Sequence, residues 1–301
     1  MQYSYYPGCT LQSSADEFDQ STQDACVALD IELIEIPDWN CCGATSAHSR
    51  SEKLAVALSA RNILIAEKED LDLVMPCAAC YNRLKVAQDA LEHEPGLREE
   101  LVRLFGIKNE RPRKVSSQTA KIKVQHLLEI FRGEEILAEV QQRTTNPLKD
   151  LTAVCYYGCL LVRPPALLNF DDPENPMLMD KLMEAIGVSV LDWSYKVDCC
   201  GASLSLSRLD VIAQLSGILF EMAQEAGAEC IITACPMCHA NLDLQQQEIS
   251  NRLGRKFQIP IFYFTELMAI AFGVPQAEDC LKKHFVDAIP LLESKKLLKA
   301  A

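Results

Sequence analysis

Short apolar runs recur along the chain, each followed by a longer stretch whose apolar positions fall three and four residues apart. "IELIEI" (31–36) precedes an amphipathic stretch near 50–68, and "DLVM" (72–75) precedes another from about 80 to 93. The order returns as "VSVLDW" (188–193) with a helical pattern near 207–226, then "CIIT" (230–233) with one near 238–252. Strand, turn and helix in alternation predict an α/β fold with a small, mostly parallel sheet flanked by helices in each half of the chain. A third echo, "IKVQHLLEIF" (122–131) and "IPIFYFTELMAIAFG" (259–273), predicts a short strand running into a helix that closes each half.

Polar punctuation sets the organisation. The charged segment 94–121 reads as an exposed insertion, and "TTNPLKD" (144–150), with Pro147, interrupts the pattern. We therefore expect two domains, 1–147 and 148–301, the second with a C-terminal helix. The tail 282–301 lies beyond the repeat and reads as a partner-docking helix or a surface one. At 301 residues with 49% apolar content, two cores of about 150 residues each are within reach.

Charge narrows the function. A formal net charge of −13 argues against nucleic-acid and anionic-membrane binding, both of which need clustered Lys and Arg. No apolar run reaches the roughly 18 residues of a membrane span, and "MQYSYYPGC" lacks a secretory layout, so we expect a soluble cytoplasmic protein without membrane insertion. Fourteen cysteines in a reducing compartment point to metal binding or redox chemistry.

The cysteines repeat with the strands. "YYPGC" (5–9) answers "YYGC" (156–159), "NCCGATSAHSR" answers "DCCGASLSLSR", and "LDLVMPCAAC" (71–80) answers "ECIITACPMC" (229–238). Between Cys42 and Cys77 lie 34 residues, as between Cys200 and Cys235. Cys9 to Cys41 spans 31 intervening residues and Cys159 to Cys199 spans 39, which predicts a longer loop around "NFDDPENP" (169–176). Two sets of five emerge: Cys9, Cys41, Cys42, Cys77 and Cys80, then Cys159, Cys199, Cys200, Cys235 and Cys238. Cys26, Cys155, Cys230 and Cys280 fall outside the repeat and read as packing residues.

Five thiols exceed what one zinc ion takes, four at about 2.3 Å, and what a cubane cluster takes. They suit an opened polynuclear cluster, with Gly43 and Gly201 permitting a tight turn that brings adjacent sulfurs to one side. A zinc knuckle, a thioredoxin-type dithiol at "CAAC" or "CPMC", and inert core cysteines are the alternatives.

On these ten positions the chain resembles the cysteine-rich CCG domain family, present in duplicate, and over roughly residues 3–270 it looks like the B-subunit of heterodisulfide reductases. The resemblance implies two tandem pseudo-symmetric CCG domains, each five-cysteine set holding a noncubane [4Fe–4S] cluster, with the clusters facing one another across a cavity. It implies reduction of a small-molecule disulfide, the coenzyme M–coenzyme B mixed disulfide or an analogue. It also implies a ferredoxin-like C-subunit supplied by a flavin-bearing A-subunit, since the chain has no G-x-G-x-x-G fingerprint. Two electrons and two protons are needed, and His48, six residues past Cys42, is the candidate proton donor. Arg50 and Arg208, each eight residues past a CCG turn, are candidates to hold an anionic substrate group, and His239 and Lys196 are further polar candidates. A non-catalytic electron relay and a zinc-stabilised interaction module are the competing functions.

Overall fold

Two four-stranded parallel sheets carry the chain. The computed structural model describes residues 1–44, 46–107 and 122–298. In it β1 (Gln2–Tyr5), β2 (Glu32–Glu35), β3 (Leu73–Met75) and β4 (Val124–His126) form one sheet in the order β2-β1-β3-β4. β5 (Thr152–Tyr156), β6 (Ser189–Val190), β7 (Cys230–Thr233) and β8 (Ile261–Tyr263) form the other in the matching order β6-β5-β7-β8, and every pairing is parallel. The central strands β3 and β7 are buried throughout, as a parallel sheet covered on both faces requires. The edge strand β2 is largely exposed and carries Glu32 and Glu35, charges that discourage edge-to-edge pairing.

Register corrects the alignment of the first cysteine motifs. Tyr5 pairs with Val74, and Cys155 pairs with Ile232, so Cys155 takes the place of Tyr5. Tyr6 then corresponds to Tyr156, and Pro7 to Tyr157. The side-chain contacts agree, since the Tyr6 hydroxyl donates to Asn40 O at 2.9 Å and the Tyr156 hydroxyl to Asp198 O at 2.6 Å, each one residue before a CCG turn.

The predicted helices appear as Glu52–Ala66, Ala78–His93 and Leu209–Glu225, but the stretch expected near 238–252 divides at Gln245 into Pro236–Leu244 and Gln246–Leu253. The predicted insertion is not wholly exposed. It contains helix Leu97–Leu104, whose Leu97 and Leu101 are buried on one face, an i, i+4 stripe that packs it down. The rest of that insertion, 108–121, lies outside the described residues.

The two halves interlock rather than close separately. Helix Phe264–Phe272, buried along its whole length, packs against helix Asp16–Ala28 of the first half. Phe18 stacks on Tyr263 with ring centroids 4.0 Å apart, and the Ser21 and Thr265 hydroxyls meet at 2.7 Å. In return the 3-10 turn Leu127–Phe131 and helix Glu134–Arg143 pack on helix Leu178–Ala185 of the second half. Each closing segment therefore covers the opposite half: helix Phe264–Phe272 has no polar face and must be surrounded, and helix Glu134–Arg143 turns Ile136 and Val140 inward. Burial of each aromatic ring contributes roughly 1.5–3 kcal/mol, and one hydrophobic core accordingly runs through both halves.

The tail is pinned across the same seam. Lys283 pairs with Asp16 at 2.5 Å, His284 Nε2 lies 2.9 Å from Glu266 Oε1, and Asp243 accepts from the Phe285 and Val286 amides at 2.7 and 2.9 Å. The segment ends in the short helix Ile289–Ser294, seated through Leu292. Among the described residues no helix is long and apolar enough to cross a membrane.

This buried acid–imidazole group dictates a pH response. Burial alone would lower the His284 pKa, yet Glu266 raises it from an ordinary 6.5 to about 9. Burial raises Glu17, beside it, from 4.5 to about 7, with the Glu266 charge adding to the effect. Both groups hold protons more tightly folded than unfolded. The stability from His284 is complete below about pH 6.5 and is lost as pH rises through 9; that from protonated Glu17 is lost as pH rises through 7. The melting temperature of the metal-free chain is expected to fall between pH 6 and 9.5, and His284→Gln to flatten the upper part of that fall, as measured by calorimetry across a pH series.

Candidate metal centre

The ten repeated cysteines gather where the strands end. Cys9 sits in the helical turn Gly8–Leu11 after β1, and Cys159 follows β5. Cys77 caps the N-terminus of helix Ala78–His93 with Cys80 in its first turn, and Cys235 caps Pro236–Leu244 with Cys238 in its first turn. This is the carboxyl edge of both sheets, where parallel α/β sheets carry their sites. Helix N-termini there favour thiolate over thiol.

Within the first set Cys41 Sγ lies 3.6 Å from Cys9 Sγ, and Cys42 Sγ lies 3.3 Å from Cys80 Sγ. The Gly43 amide donates to Cys41 Sγ at 3.4 Å, and the Gly201 amide donates to Cys199 Sγ at 3.3 Å. The predicted turn is present: Gly43 and Gly201 hold φ of 75° and 84°, a region open to glycine. Two further glycines serve approach. A Cβ on Gly8 would stand 3.1 Å from Cys80 Sγ, and one on Gly158 would stand 3.2 Å from Cys238 Sγ. Ser59 and Ser216 hold the Cys42 and Cys200 carbonyls by hydroxyl bonds of 3.1 and 2.9 Å, and Asn241 adds a second donor at 2.9 Å to the latter.

The two sets lie close to one another. Cys77 and Cys235, one from each half, perturb each other's acidity, Cys77 upward and Cys235 downward. Helix Ala78–His93 is tied across the same seam, with the Tyr81 hydroxyl donating to Leu168 O at 3.1 Å. Asn82 Nδ2 donates to Leu160 O and Arg163 O at 3.0 and 2.7 Å. The inner sulfurs Cys42, Cys77, Cys80, Cys200 and Cys235 are buried, whereas Cys9, Cys41 and Cys199 are exposed.

Contact between sulfurs splits their acidities. Hydrogen bonds from Cys42 and Cys9 pull Cys41 down to about 2, and the contact with Cys41 pushes Cys9 up. Contact with Cys41 also raises Cys42, to about 11. In the second half the bond with Cys159 lowers Cys199 to about 6. In the outer pairs, Cys9 with Cys41 and Cys159 with Cys199, one member is thus favoured to ionise, whereas Cys42 and its neighbour Cys80 are both held up as thiols.

The donor set fits an iron–sulfur group. The first set brings sulfurs to 3.6 and 3.3 Å of one another, and five thiols to a set are more donors than a single tetrahedral zinc takes. The Gly8 and Gly158 cradles leave space beside sulfur that any larger residue would fill.

The remaining candidates fall elsewhere. His48 is exposed and faces a surface groove with Glu52, Lys53, Arg83 and Glu100, a lining without any of the ten cysteines. Arg50 is exposed at the end of the short helix Ala47–Arg50. Arg208 is engaged by Asp210 through bonds of 2.9 and 2.7 Å. His239 is a packing residue, stacked on Tyr263 at 4.1 Å with Nε2 3.0 Å from Ile261 O. Lys196 is buried against Asp180 at 2.8 Å. Cys26, Cys155, Cys230 and Cys280 are buried, and burial is the main cause of their raised pKa values. Sequence reasoning missed Tyr6 and Tyr156, which roof the two sets, although a tyrosine two residues before the glycine of each first cysteine turn was a readable signal.

The CCG family profile, a cysteine-rich domain, matches residues 3–85 and 153–243. Over 290 residues the chain is 26% identical to the 8-methylmenaquinol:fumarate reductase membrane anchor subunit of Wolinella succinogenes, covering 96% of this chain and 99% of that one. It is 26% identical over 295 residues to the B-subunit of the ferredoxin/F(420)H(2)-dependent CoB-CoM heterodisulfide reductase of Methanosarcina acetivorans, covering 96% and 95%. A heterodisulfide reductase B-subunit-like protein of Archaeoglobus profundus shares 22% identity over 91% of each chain. The fold resembles the crystal structure of a hypothetical protein from Helicobacter pylori, with a TM-score of 0.70 at 12% identity, covering 95% of this chain and 52% of that one.

The glycine of the CCG turn is open to test. A Cβ on Gly43 would sit 2.6 Å from Ala47 Cβ on a backbone that disfavours it, so Gly43→Ala is expected to cost about 1–3 kcal/mol. Urea unfolding of the metal-free chain measures this directly.

Proposed function

The chain belongs to the cysteine-rich CCG domain family, whose domain it carries twice, and from that premise we propose that it is the iron–sulfur subunit of an oxidoreductase complex that reduces a disulfide, each five-cysteine set holding one noncubane [4Fe–4S] cluster. The matching C-x-x-C motifs at two helix N-termini, with helix Ala78–His93 bonded across the seam to Leu160, Arg163 and Leu168 of the other half, carry this reading. They support two redox sites meeting at one seam, matched to a reaction that needs two electrons. Cleavage of R–S–S–R′ consumes two electrons and two protons and releases two thiols. The chemistry supplied by bound clusters is one-electron transfer.

The chain's own residues do the rest. Cys9, Cys41, Cys42, Cys77 and Cys80 would hold one cluster, and Cys159, Cys199, Cys200, Cys235 and Cys238 the other. The Gly43 and Gly201 amides steady thiolate charge on Cys41 and Cys199, and hydrogen bonds to sulfur are one of the means by which such sites set their potential. Tyr6 and Tyr156, both buried and bonded to backbone carbonyls, exclude water from the inner sulfurs. The exposed Cys9, Cys41 and Cys199 leave an outer face for reactants. Of the two arginines, Arg50 has no ion-pair partner among the described residues and could take an anionic group, whereas Arg208 would first have to part from Asp210. His48, the candidate proton donor, lines a groove that contains none of the ten cysteines. Electrons would come from a ferredoxin-like partner and, behind it, a flavin-bearing one, in keeping with the ferredoxin-dependent reductases among the relatives.

A relay reading has its own support in the Wolinella succinogenes relative, which is part of a quinol:fumarate reductase and aligns over nearly its full length. The two readings separate in one preparation. Purified without oxygen, the chain is expected to hold about eight irons and as many sulfides, and Cys42→Ala about half of each, with Cys26→Ala unchanged. Given a reductant, the coenzyme M–coenzyme B disulfide or a simpler organic disulfide is expected to yield two thiols per two electrons. Clusters that titrate with no thiol release would leave the relay; about two zinc ions and no sulfide would overturn both.

A further inference from the structure

The repeat is broken at one place beside the sulfur sites. Lys196, three residues before Cys199, is buried, and its Nζ lies 2.8 Å from Asp180 Oδ1 and 3.3 Å from Pro176 O. The side chains of this ion pair are 1% and 2% exposed. Asp180, on helix Leu178–Ala185, accepts on its other oxygen from the Tyr157 hydroxyl at 2.6 Å. That hydroxyl oxygen in turn accepts from the Met179 and Asp180 amides at 2.7 and 3.1 Å. The Lys196 carbonyl completes the ring of contacts, accepting from the Tyr157 and Gly158 amides at 2.8 and 3.1 Å. Both ends of the lysine thus hold the backbone immediately before Cys159 against the backbone immediately before Cys199.

The first half has different residues at the corresponding places. Pro7 stands where the second half has Tyr157, and Asp38 where it has Lys196. Asp38 turns outward, with its side chain 86% exposed, and meets Arg61 at 2.5 Å. The loop before Cys41 is held without a buried ion pair: the Asn40 amide donates to Asn62 Oδ1 at 2.9 Å, Asn62 Nδ2 donates to Asn40 O at 2.8 Å, and Arg61, whose acid partner is exposed, donates to Asp38 O and Asn40 Oδ1 at 2.5 and 3.1 Å. A buried ion pair is costly to assemble and stabilises little overall; what it enforces is a single arrangement, since removing one partner strands the other charge. Here the arrangement enforced is the spacing of two cysteine loops.

We propose that Tyr157, Asp180 and Lys196 form a clamp that positions Cys159 against Cys199 and Cys200, making the second thiol set a rigid, preformed site and the first a more adaptable one. The clamp accounts for a feature that the repeat leaves over. Cys155 is packed where it feels the charges of Asp180 and Lys196, a neighbourhood that explains its burial without any ligand role. All three are positioning residues. The proposal rests on the reading of the cysteine sets as cluster sites, but its first test needs no cluster.

In the metal-free full chain, iodoacetamide labelling followed by mass spectrometry gives the reactivity of each cysteine. Tyr157→Phe, which removes one hydroxyl, and the charge-neutral pair Asp180→Asn/Lys196→Met are expected to speed labelling of Cys159 and Cys199 several-fold while Cys9 and Cys41 keep their rates. The first set serves as the internal control for folding, alongside circular dichroism. Equal acceleration in both halves would reduce the triad to general stability, and no acceleration in either would remove the clamp; both results overturn the proposal.

The loaded protein gives a second readout. In a Cys42→Ala background, where only the second site is intact, either variant is expected to lower iron content and shift the paramagnetic spectrum of the reduced chain. In a Cys200→Ala background neither should change. If the parent chain binds no iron at all, the cluster reading fails while half-specific labelling still stands, so the two failures are distinguishable.

Discussion

Thiol sulfurs 3.3 and 3.6 Å apart cannot both carry charge inside a protein, and the rest of the structure is organised around that constraint. Like charges at contact distance must either share protons or share a cation. The chain prepares for both. Glycine amides favour charge on Cys41 and Cys199 in the outer pairs, and contact with a neighbouring sulfur, together with burial, holds Cys42 and Cys80 toward the thiol. A site built this way is unfavourable to leave bare and favourable to fill, which is the thermodynamic signature of a metal-binding fold. The same balance explains why four other buried cysteines remain inert, each lying apart from these pairs and held as a thiol by desolvation.

Each sheet carries five of the sulfurs at its carboxyl edge, and exchanged closing segments hold the two sheets together. Helix Phe264–Phe272 reaches across to helix Asp16–Ala28, and the segment 127–143 reaches back to helix Leu178–Ala185. The aromatic stack of Phe18 on Tyr263 and the tail contacts at Asp243 and Glu266 lock this geometry. Two-fold similarity of sequence thus yields not two beads but one body with a shared interior.

Much of this was legible in the chain itself. The equal intervals from CCG turn to C-x-x-C encode one helix and one strand of fixed length, so the strands, the sulfur positions and the parallel sheet all followed from local pattern. What escaped was non-local. Nothing in "IPIFYFTELMAIAFG" reveals which half its helix will cover, because a segment apolar on every side carries no direction. The one-residue difference between "YYPGC" and "YYGC" disguised the correspondence of Tyr6 with Tyr156, which emerges from strand register and not from adjacent letters. Lys196 read only as a polar candidate beside the cysteines because its counter-charge lies sixteen residues earlier in sequence, on helix Leu178–Ala185. The helix Leu97–Leu104 was hidden by its high charge, since two leucines four apart are enough to seat it.

The interlock has a consequence for how such a molecule can have arisen and how it can be altered. Once each copy of a doubled unit supplies the cover of the other, neither can be discarded without baring its sibling's interior, and the doubling works as a ratchet. Fragments divided at the midpoint would be complementary parts of one object, in the manner of a split protein, and not two smaller versions of it. Divergence between the copies is then tolerated freely at their outer faces, while the shared interior must change in concert.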